Sequence, residues 1–172
     1  MSETPSGRAL PYRIAVLCYL FDEAGRVLLL HRLREPNRGL LSPIGGKLHM
    51  DEGESPAACA LREIEEEVEL KLTLADLHLT GMVSEAGFEG TTHWLMFMYE
   101  VTRAVRVERM EFSEGRLEWH APQALGELNI PVTDRQVLWP LFWANRGKFF
   151  TAHIDCEQGA LRWRLEQGLP PA

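Results

Sequence analysis

The chain has 172 residues, about the size of one domain, and its 45% apolar and 25% charged residues match a globular chain rather than a disordered, fibrous or membrane-spanning one. Its longest apolar run, Ile14–Phe21, falls well short of the ~20 residues a bilayer requires, so no membrane partner is expected. Eighteen basic against 25 acidic residues leave a net charge of −7 and no basic stripe, which argues against nucleic acid as a partner.

The first ten residues, MSETPSGRAL, show no basic segment followed by an apolar one, so the expected address is the cytoplasm. Residues 1–10 are polar and expected to fray, which leaves 11–172 as a single domain. Tyr12–Phe21 is β-branched and aromatic, Asp22–Gly25 supplies turn residues, and Arg26–Leu33 is apolar again; together they read as a hairpin. Arg32, Arg34 and Arg38 then lead into a Pro-Asn turn, followed by Gly45, Gly46 and Lys47.

Ser55 and Pro56 open a helix, as N-cap and first helical residue, that runs to Val68 or Glu69. His78–Glu85 and His93–Val101 read as strands around a glycine-bearing loop, and Gly115–His120 as a short strand. Thr133–Gln136 fits a capping box for a second helix, with Pro140 near its middle implying a kink or an early stop. Phe149–Asp155 and Ala160–Leu165 form a closing hairpin. Cys18, Cys59 and Cys156 are far apart and odd in number, so they read as small buried apolar residues rather than a disulfide framework or a zinc site.

The acid excess is local. Residues 51–70 hold eight acids and one base, Arg62, while the remainder of the chain balances at 17 of each sign. On the helix, Glu63, Glu66 and Glu67 fall within an arc of about 100°, opposite a core face of Ala57, Leu61, Ile64 and Val68. Like charges at i,i+4 cost ~0.2–0.5 kcal/mol each, and acids near the C-terminal end oppose the helix dipole. A hard divalent cation, Mg²⁺ or Mn²⁺, would offset this; a solvated acidic surface is the alternative. Arg32, Arg34, Arg38 and Lys47 add cations suited to phosphate. Lys47 is followed by Leu48 and no GxGxxG occurs, so neither a Walker A loop nor a dinucleotide fingerprint is present, and HExxH and GxSxG are absent as well.

The stretch GGKLHMDEGESPAACALREIEEEVEL resembles the signature of the Nudix hydrolases, G-x5-E-x7-R-E-U-x-E-E-x-G-U with U aliphatic. Glu54, Arg62, Glu63, Ile64, Glu66, Glu67 and Leu70 match in register. Two positions depart: seven residues rather than five separate Gly46 from Glu54, and Glu69 stands where the family has glycine. The order of elements is similar to that of MutT-type members. The resemblance implies an α/β (α+β) Nudix fold, a three-layer α/β/α sandwich around a mixed sheet.

It further implies a Mg²⁺-dependent pyrophosphohydrolase, with Mn²⁺ a substitute, cleaving a nucleoside diphosphate linked to another group. A nucleoside triphosphate, oxidised forms such as 8-oxo-dGTP included, is the small-molecule substrate it favours. Glu63, Glu66 and Glu67 would be metal ligands, one of them also taking the proton of the attacking water, with the Gly46 carbonyl joining them. Arg62 would hold the carboxylates in place with Glu54. A further metal-binding glutamate corresponds to Glu114, with Glu111 and Glu118 as rivals. Arg32, Arg34 and Lys47 would contact phosphate, and Asp134 the base or only the start of its helix. Phe88, Trp94, Trp119, Trp139 and Trp143 are available for stacking.

The proline and tyrosine that mark ADP-ribose and dinucleoside polyphosphate members are replaced by Glu85, Ala86 and Gly87. The alternatives are a non-catalytic nucleotide-sensing module, a hydrolase of dinucleoside polyphosphates or nucleotide sugars, or an acidic interaction domain.

Overall fold

Alternation along one strand sets the architecture. In β1, Tyr12–Tyr19, and the two residues after it, Val16, Cys18 and Leu20 face one way and Tyr19 and Phe21 the other, and all five are buried. A strand buried on both faces lies inside a three-layer stack. The first set packs with Cys59, Ala60, Ile64 and Val68 of helix α1, Pro56–Val68. The second packs with Val137, Leu138, Leu141 and Phe142, around helix α2, Trp139–Ala144, and the widened helical turn Asp134–Leu138 that leads into it. This computed structural model describes residues 9–35 and 37–171; most of the N-terminal segment expected to fray, residues 1–8, lies outside the described residues.

The middle layer comprises two sheets. With β2 (Val27–Arg32), β3 (Leu41–Ser42), β4 (Leu77–Phe88), β5 (Thr92–Val101), β6 (Glu111–Phe112), β7 (Gly115–His120), β8 (Phe150–Asp155) and β9 (Arg162–Gln167), the orders are β1-β5-β4-β8-β9 and β3-β2-β7-β6. The first sheet is mixed, with β1–β5 and β4–β8 parallel and the other pairs antiparallel; the second is antiparallel throughout. The expected mixed α+β sandwich is thus present, its sheet layer divided in two.

Two local expectations are corrected. The turn at Asp22–Gly25 exists, its Asp22 carboxylate accepting from the backbone N–H groups of Ala24 and Arg26, but β1 and β2 do not form a hairpin. They share a single bridge, Phe21 to Val27, before entering different sheets. The cause is that β2 is apolar on both faces, Val27 and Leu29 toward α2 and Leu28 and Leu30 toward α1, so it is buried as an inner strand of its own sheet.

Thr133 is not a helix cap. Residues 132–133 are already helical, and the Arg135 N–H bonds the Pro131 carbonyl at 3.0 Å, so the helix begins one turn-position earlier than the capping box implies. The Thr133 side chain makes no cap bond to the helix. Pro140 contributes no N–H, and the five-residue widened turn just before it accommodates the missing bond.

Helix α1 begins as its sequence dictates: Ser55 Oγ accepts from the Ala58 N–H at 3.2 Å and Pro56 is the first helical residue. Its buried face is Cys59, Ala60, Ile64, Val68 and also Glu67, with Ala57 and Leu61 only partly covered. Burying Ile64 and Val68 stabilises by roughly 1.5–3 kcal/mol apiece, enough to offset the acids on the same helix.

Candidate active site

The three helix acids share an edge of α1 but not an environment. Glu66 is exposed, Glu63 half-buried and Glu67 buried at 3% exposure, its Oε2 without a hydrogen-bond partner. Burial, with Glu63 and Glu114 adding their charge, pushes the Glu67 carboxyl up to about 8, while Arg32 and the Gly45 N–H pull the other way. Burial also raises Glu63, against the downward pull of Arg62.

The segment Gly45–Lys47 runs along the free edge of β1, where the Gly46 carbonyl accepts from the Val16 N–H at 2.9 Å and the Ile44 carbonyl from the Cys18 N–H at 2.7 Å. A Cβ on Gly45 would meet the Val16 carbonyl oxygen at 2.1 Å, so only glycine allows this approach. Gly46 thereby comes to lie under the Glu63 carboxylate, and its carbonyl also receives a long contact from the Cys59 thiol at 3.9 Å.

Arg62 ties the loop to the helix. Its Nε and one terminal nitrogen bond both oxygens of Glu54 at 2.7 and 3.0 Å, the other terminal nitrogen bonds Glu63 Oε1 at 2.7 Å and Glu66 Oε2 at 3.3 Å, and the Lys47 carbonyl accepts at 3.2 Å. The guanidinium holds Glu54 down to about 2, helped by the His49 N–H. The two extra residues before Glu54 form a short 3-10 turn, Met50–Glu52, closed by Gly53 in the left-handed region, so the longer loop still delivers Glu54 to Arg62.

The other sequence departure, Glu69, also takes a left-handed conformation, with φ 59°. Arg109 bonds its carboxylate at 3.1 Å and the Glu66 carbonyl at 3.2 Å, which places a cation at the C-terminal end of the helix dipole.

Of the three rival acids beyond the helix, Glu114 is the one whose charge bears on both Glu63 and Glu67. Glu111 is exposed, and Glu118 is bound by Arg116 and His120. Next to the acids opens a cleft of about 140 Å³ whose lining includes Arg32, Gly46, Lys47 and Asp134. The Arg32 Nε is buried without a hydrogen-bond partner. Arg34 lies exposed on the loop after β2 and is not among the residues lining this cleft; the N–H of its neighbour Leu33 bonds the Glu114 carbonyl.

Asp134 is buried and raised to about 7, by burial first and then by the charge of Glu85, against the Thr133 hydroxyl. Glu85, buried on β4 and lining the same cleft, is the residue that sequence reasoning missed as part of the site. Its signal was an acid two residues after the buried Val83, on the inward face of β4. Among the aromatic candidates Phe88 and Trp94 line the cleft; Trp139 and Trp143 pack around α2, and Trp119 lines a separate open hollow of about 520 Å³ with Arg26, Arg103 and Arg106. The cysteines are free, with Cys18 and Cys59 buried as expected and Cys156 partly so.

The candidate donors are all oxygen, the chemistry that would suit a hard divalent ion, and the Glu67 Oε2 is without a hydrogen-bond partner. Among the described residues no three acidic, histidine or cysteine side chains converge tightly enough to enclose an ion, since Arg62 turns Glu63 toward itself and Glu66 stays outside.

Residues 11–139 match the family model described as the NUDIX domain. The chain belongs to the Nudix family. Its fold is similar to that of the mutator MutT protein from Bacillus halodurans, with a TM-score of 0.71 at 23% identity, covering 90% of this chain and 97% of that one. The MutT protein from Methanosarcina mazei Go1 gives a TM-score of 0.67 at 22% identity, with 81% of this chain and 99% of that one covered. The Nudix domain of Shewanella oneidensis NrtR, solved as a complex with ADP ribose, gives 0.61 at 15% identity over 81% of this chain and 90% of that one. No helix among the described residues of this Nudix chain is long and apolar enough to cross a membrane.

Proposed function

We propose that the protein is a divalent-metal-dependent nucleoside triphosphate pyrophosphohydrolase of the cytoplasm, releasing a nucleoside monophosphate and pyrophosphate, with residues 11–172 acting as one domain. Oxidised purine nucleotides such as 8-oxo-dGTP fall within the substrate class. The observation that carries this reading is the buried, unpartnered Oε2 of Glu67, which feels the charges of Glu63 and Glu114, with Glu63 packed against Gly46, a residue of the cleft lining that also includes Arg32 and Lys47.

Glu63, Glu66, Glu67 and Glu114, with the Gly46 carbonyl, would hold Mg²⁺ or Mn²⁺. Bound there, such an ion neutralises charge on the anhydride oxygens and acidifies a water molecule. Glu67 has the open oxygen and accepts the proton of the attacking water, while Glu63 is kept in place by Arg62, itself anchored by the Glu54 carboxylate. Arg32 and Lys47 orient the phosphate chain, and Asp134 meets the base.

Incubation of the protein with Mg²⁺ and a panel of nucleoside triphosphates, including 8-oxo-dGTP, followed by separation of the products, tests the reading. Monophosphate and pyrophosphate are expected, and the Glu67→Gln variant should keep the fold and lose ~10²–10⁴-fold in turnover. Orthophosphate as the product, or undiminished turnover in that variant, overturns it.

A second reading, a nucleoside diphosphate carrying another large group, draws on one observation. A hollow of about 380 Å³ adjoins the cleft and shares Lys47, Phe88 and Trp94 with it. Faster cleavage of a dinucleoside polyphosphate or nucleotide sugar than of any triphosphate would favour it.

A further inference from the structure

Trp119, a stacking candidate from the sequence, has no part in the cleft; it is half-buried against the core that α1 covers and lines the open hollow of about 520 Å³. Trp94, Trp139 and Trp143 each have an aromatic ring or a guanidinium against them, whereas Trp119 has neither among the described residues. Its open surface is therefore free for a ligand. The hollow shares no residue with the cleft, and none of Glu63, Glu66, Glu67 or Glu114 lines it, so a ligand confined to it would not touch those acids.

Three arginines stand around the same hollow, and two of them are held in place from behind. The Arg103 Nε donates to Asp76 at 2.9 Å, and Asp76, outside the lining, is itself fixed by the Thr73 N–H at 2.8 Å and hydroxyl at 3.1 Å. Both terminal nitrogens of Arg103 are left without a protein partner among the described residues. Arg26 binds Asp22 through Nε and one terminal nitrogen, which leaves the other. Arg106, exposed between the buried Val105 and Val107, forms no ion pair among the described residues. The Val105 N–H bonds the Phe21 carbonyl at 2.9 Å, so the loop of Arg103 and Arg106 is tied to the turn of Arg26. Asp22 is bound to Arg26 and Glu23 is the other acid of the lining, so three cations face two acids in a chain of net charge −7.

We propose that this hollow is a second, non-catalytic nucleotide site, in which Arg103 and Arg106 hold the phosphate of a nucleoside monophosphate and its base lies against Trp119 above Val105 and Val107. A guanidinium fork matches phosphate oxygens in pairs. An indole with an open face accepts any base, because every base has a flat apolar side. A volume of about 520 Å³ falls within the range usual for small-molecule sites. Exposed arginines alone contribute little to stability or to binding; their convergence on an unstacked tryptophan selects a ligand with both a ring and an anion. Phosphate alone leaves the indole uncovered, and a ring alone leaves Arg106 unpaired.

In metal-free protein labelled with ¹⁵N at tryptophan, the indole signals of Trp119 and Trp94 report the hollow and the cleft separately, each assigned from its Phe substitution. Titration with AMP should move the Trp119 signal. Arg103→Gln combined with Arg106→Gln should weaken the affinity read from that signal by about tenfold and change the Trp94 response by less than about twofold. Adenosine and inorganic phosphate should each bind the hollow about tenfold more weakly than AMP. Melting curves establish that the double variant is folded, and Arg106→Gln alone, which breaks no ion pair, carries the test if it is not. A Trp119 signal that does not respond to AMP, adenosine bound as tightly as AMP, or an affinity indifferent to the arginines overturns the proposal. Failure of the pyrophosphohydrolase reading appears separately, as absence of pyrophosphate release from triphosphates with Mg²⁺, and leaves the Trp119 result unchanged.

Discussion

Gly46 and Glu63 lie so close that no side chain fits between them: a Cβ on Gly46 would stand 2.2 Å from Glu63 Oε1 and 2.4 Å from its Cδ. The glycine therefore serves the carboxylate as well as the loop. In Gly46→Ala the flexible end of Glu63 is what gives way, so turnover should fall by ~10²-fold, the loss expected for a group displaced by about 1 Å. The melting temperature should change little. Full activity in Gly46→Ala would show that the position of Glu63 is not critical.

Arg62 is a clamp whose value lies in its planar fork, with paired bonds to Glu54 and a separate one to Glu63. Lysine keeps the charge but loses that geometry. Arg62→Lys should lower kcat by about 10–100-fold with KM nearly unchanged, since Arg62 is proposed to act through the acids rather than on the substrate. A rise confined to KM would instead put Arg62 in contact with substrate.

Mg²⁺ should stabilise the protein. At an ion concentration of about 100 Kd the gain is ~2.7 kcal/mol, or about 5–10 °C in Tm for a chain of this size. The shift should be much reduced in Glu67→Gln, which lacks the buried carboxylate, and scanning calorimetry with and without chelator measures both. An equal shift in the two proteins would place the ion elsewhere.

Asp134 makes stability fall with rising pH. Its folded value, about 7, lies above the unfolded value of 3.8, so its contribution is complete below 3.8 and is lost as pH rises through 7. Glu85, also raised by burial, acts in the same direction. Asp134→Asn should therefore show a smaller loss of Tm than the parent between pH 4 and 8, and should melt higher at pH 8. Parallel Tm–pH curves for the two proteins would contradict this.

Glu69 ends α1 in a conformation that favours glycine, and Arg109 is its partner. Glu69→Gly relieves about 1 kcal/mol of backbone strain while losing an exposed ion pair of smaller worth. The variant should be more stable by ~0.5 kcal/mol in urea denaturation, with activity retained. A loss of stability would mean that Arg109 depends on the carboxylate.

The sequence by itself determined α1, from the Ser55 cap and Pro56 to the stop at Val68, because caps and helical periodicity act over a few residues. It also determined the Arg62, Glu63, Glu66 and Glu67 register, since residues three and four apart on a helix lie side by side whatever surrounds them. Only the tertiary structure decided that Glu67 is buried while Glu66 is exposed, that Glu114 rather than Glu118 stands by them, that β1 and β2 part into different sheets, and that Glu85 faces Asp134 across 49 positions of sequence. Burial and electrostatic proximity depend on which distant segments pack together, and local pattern carries no record of that.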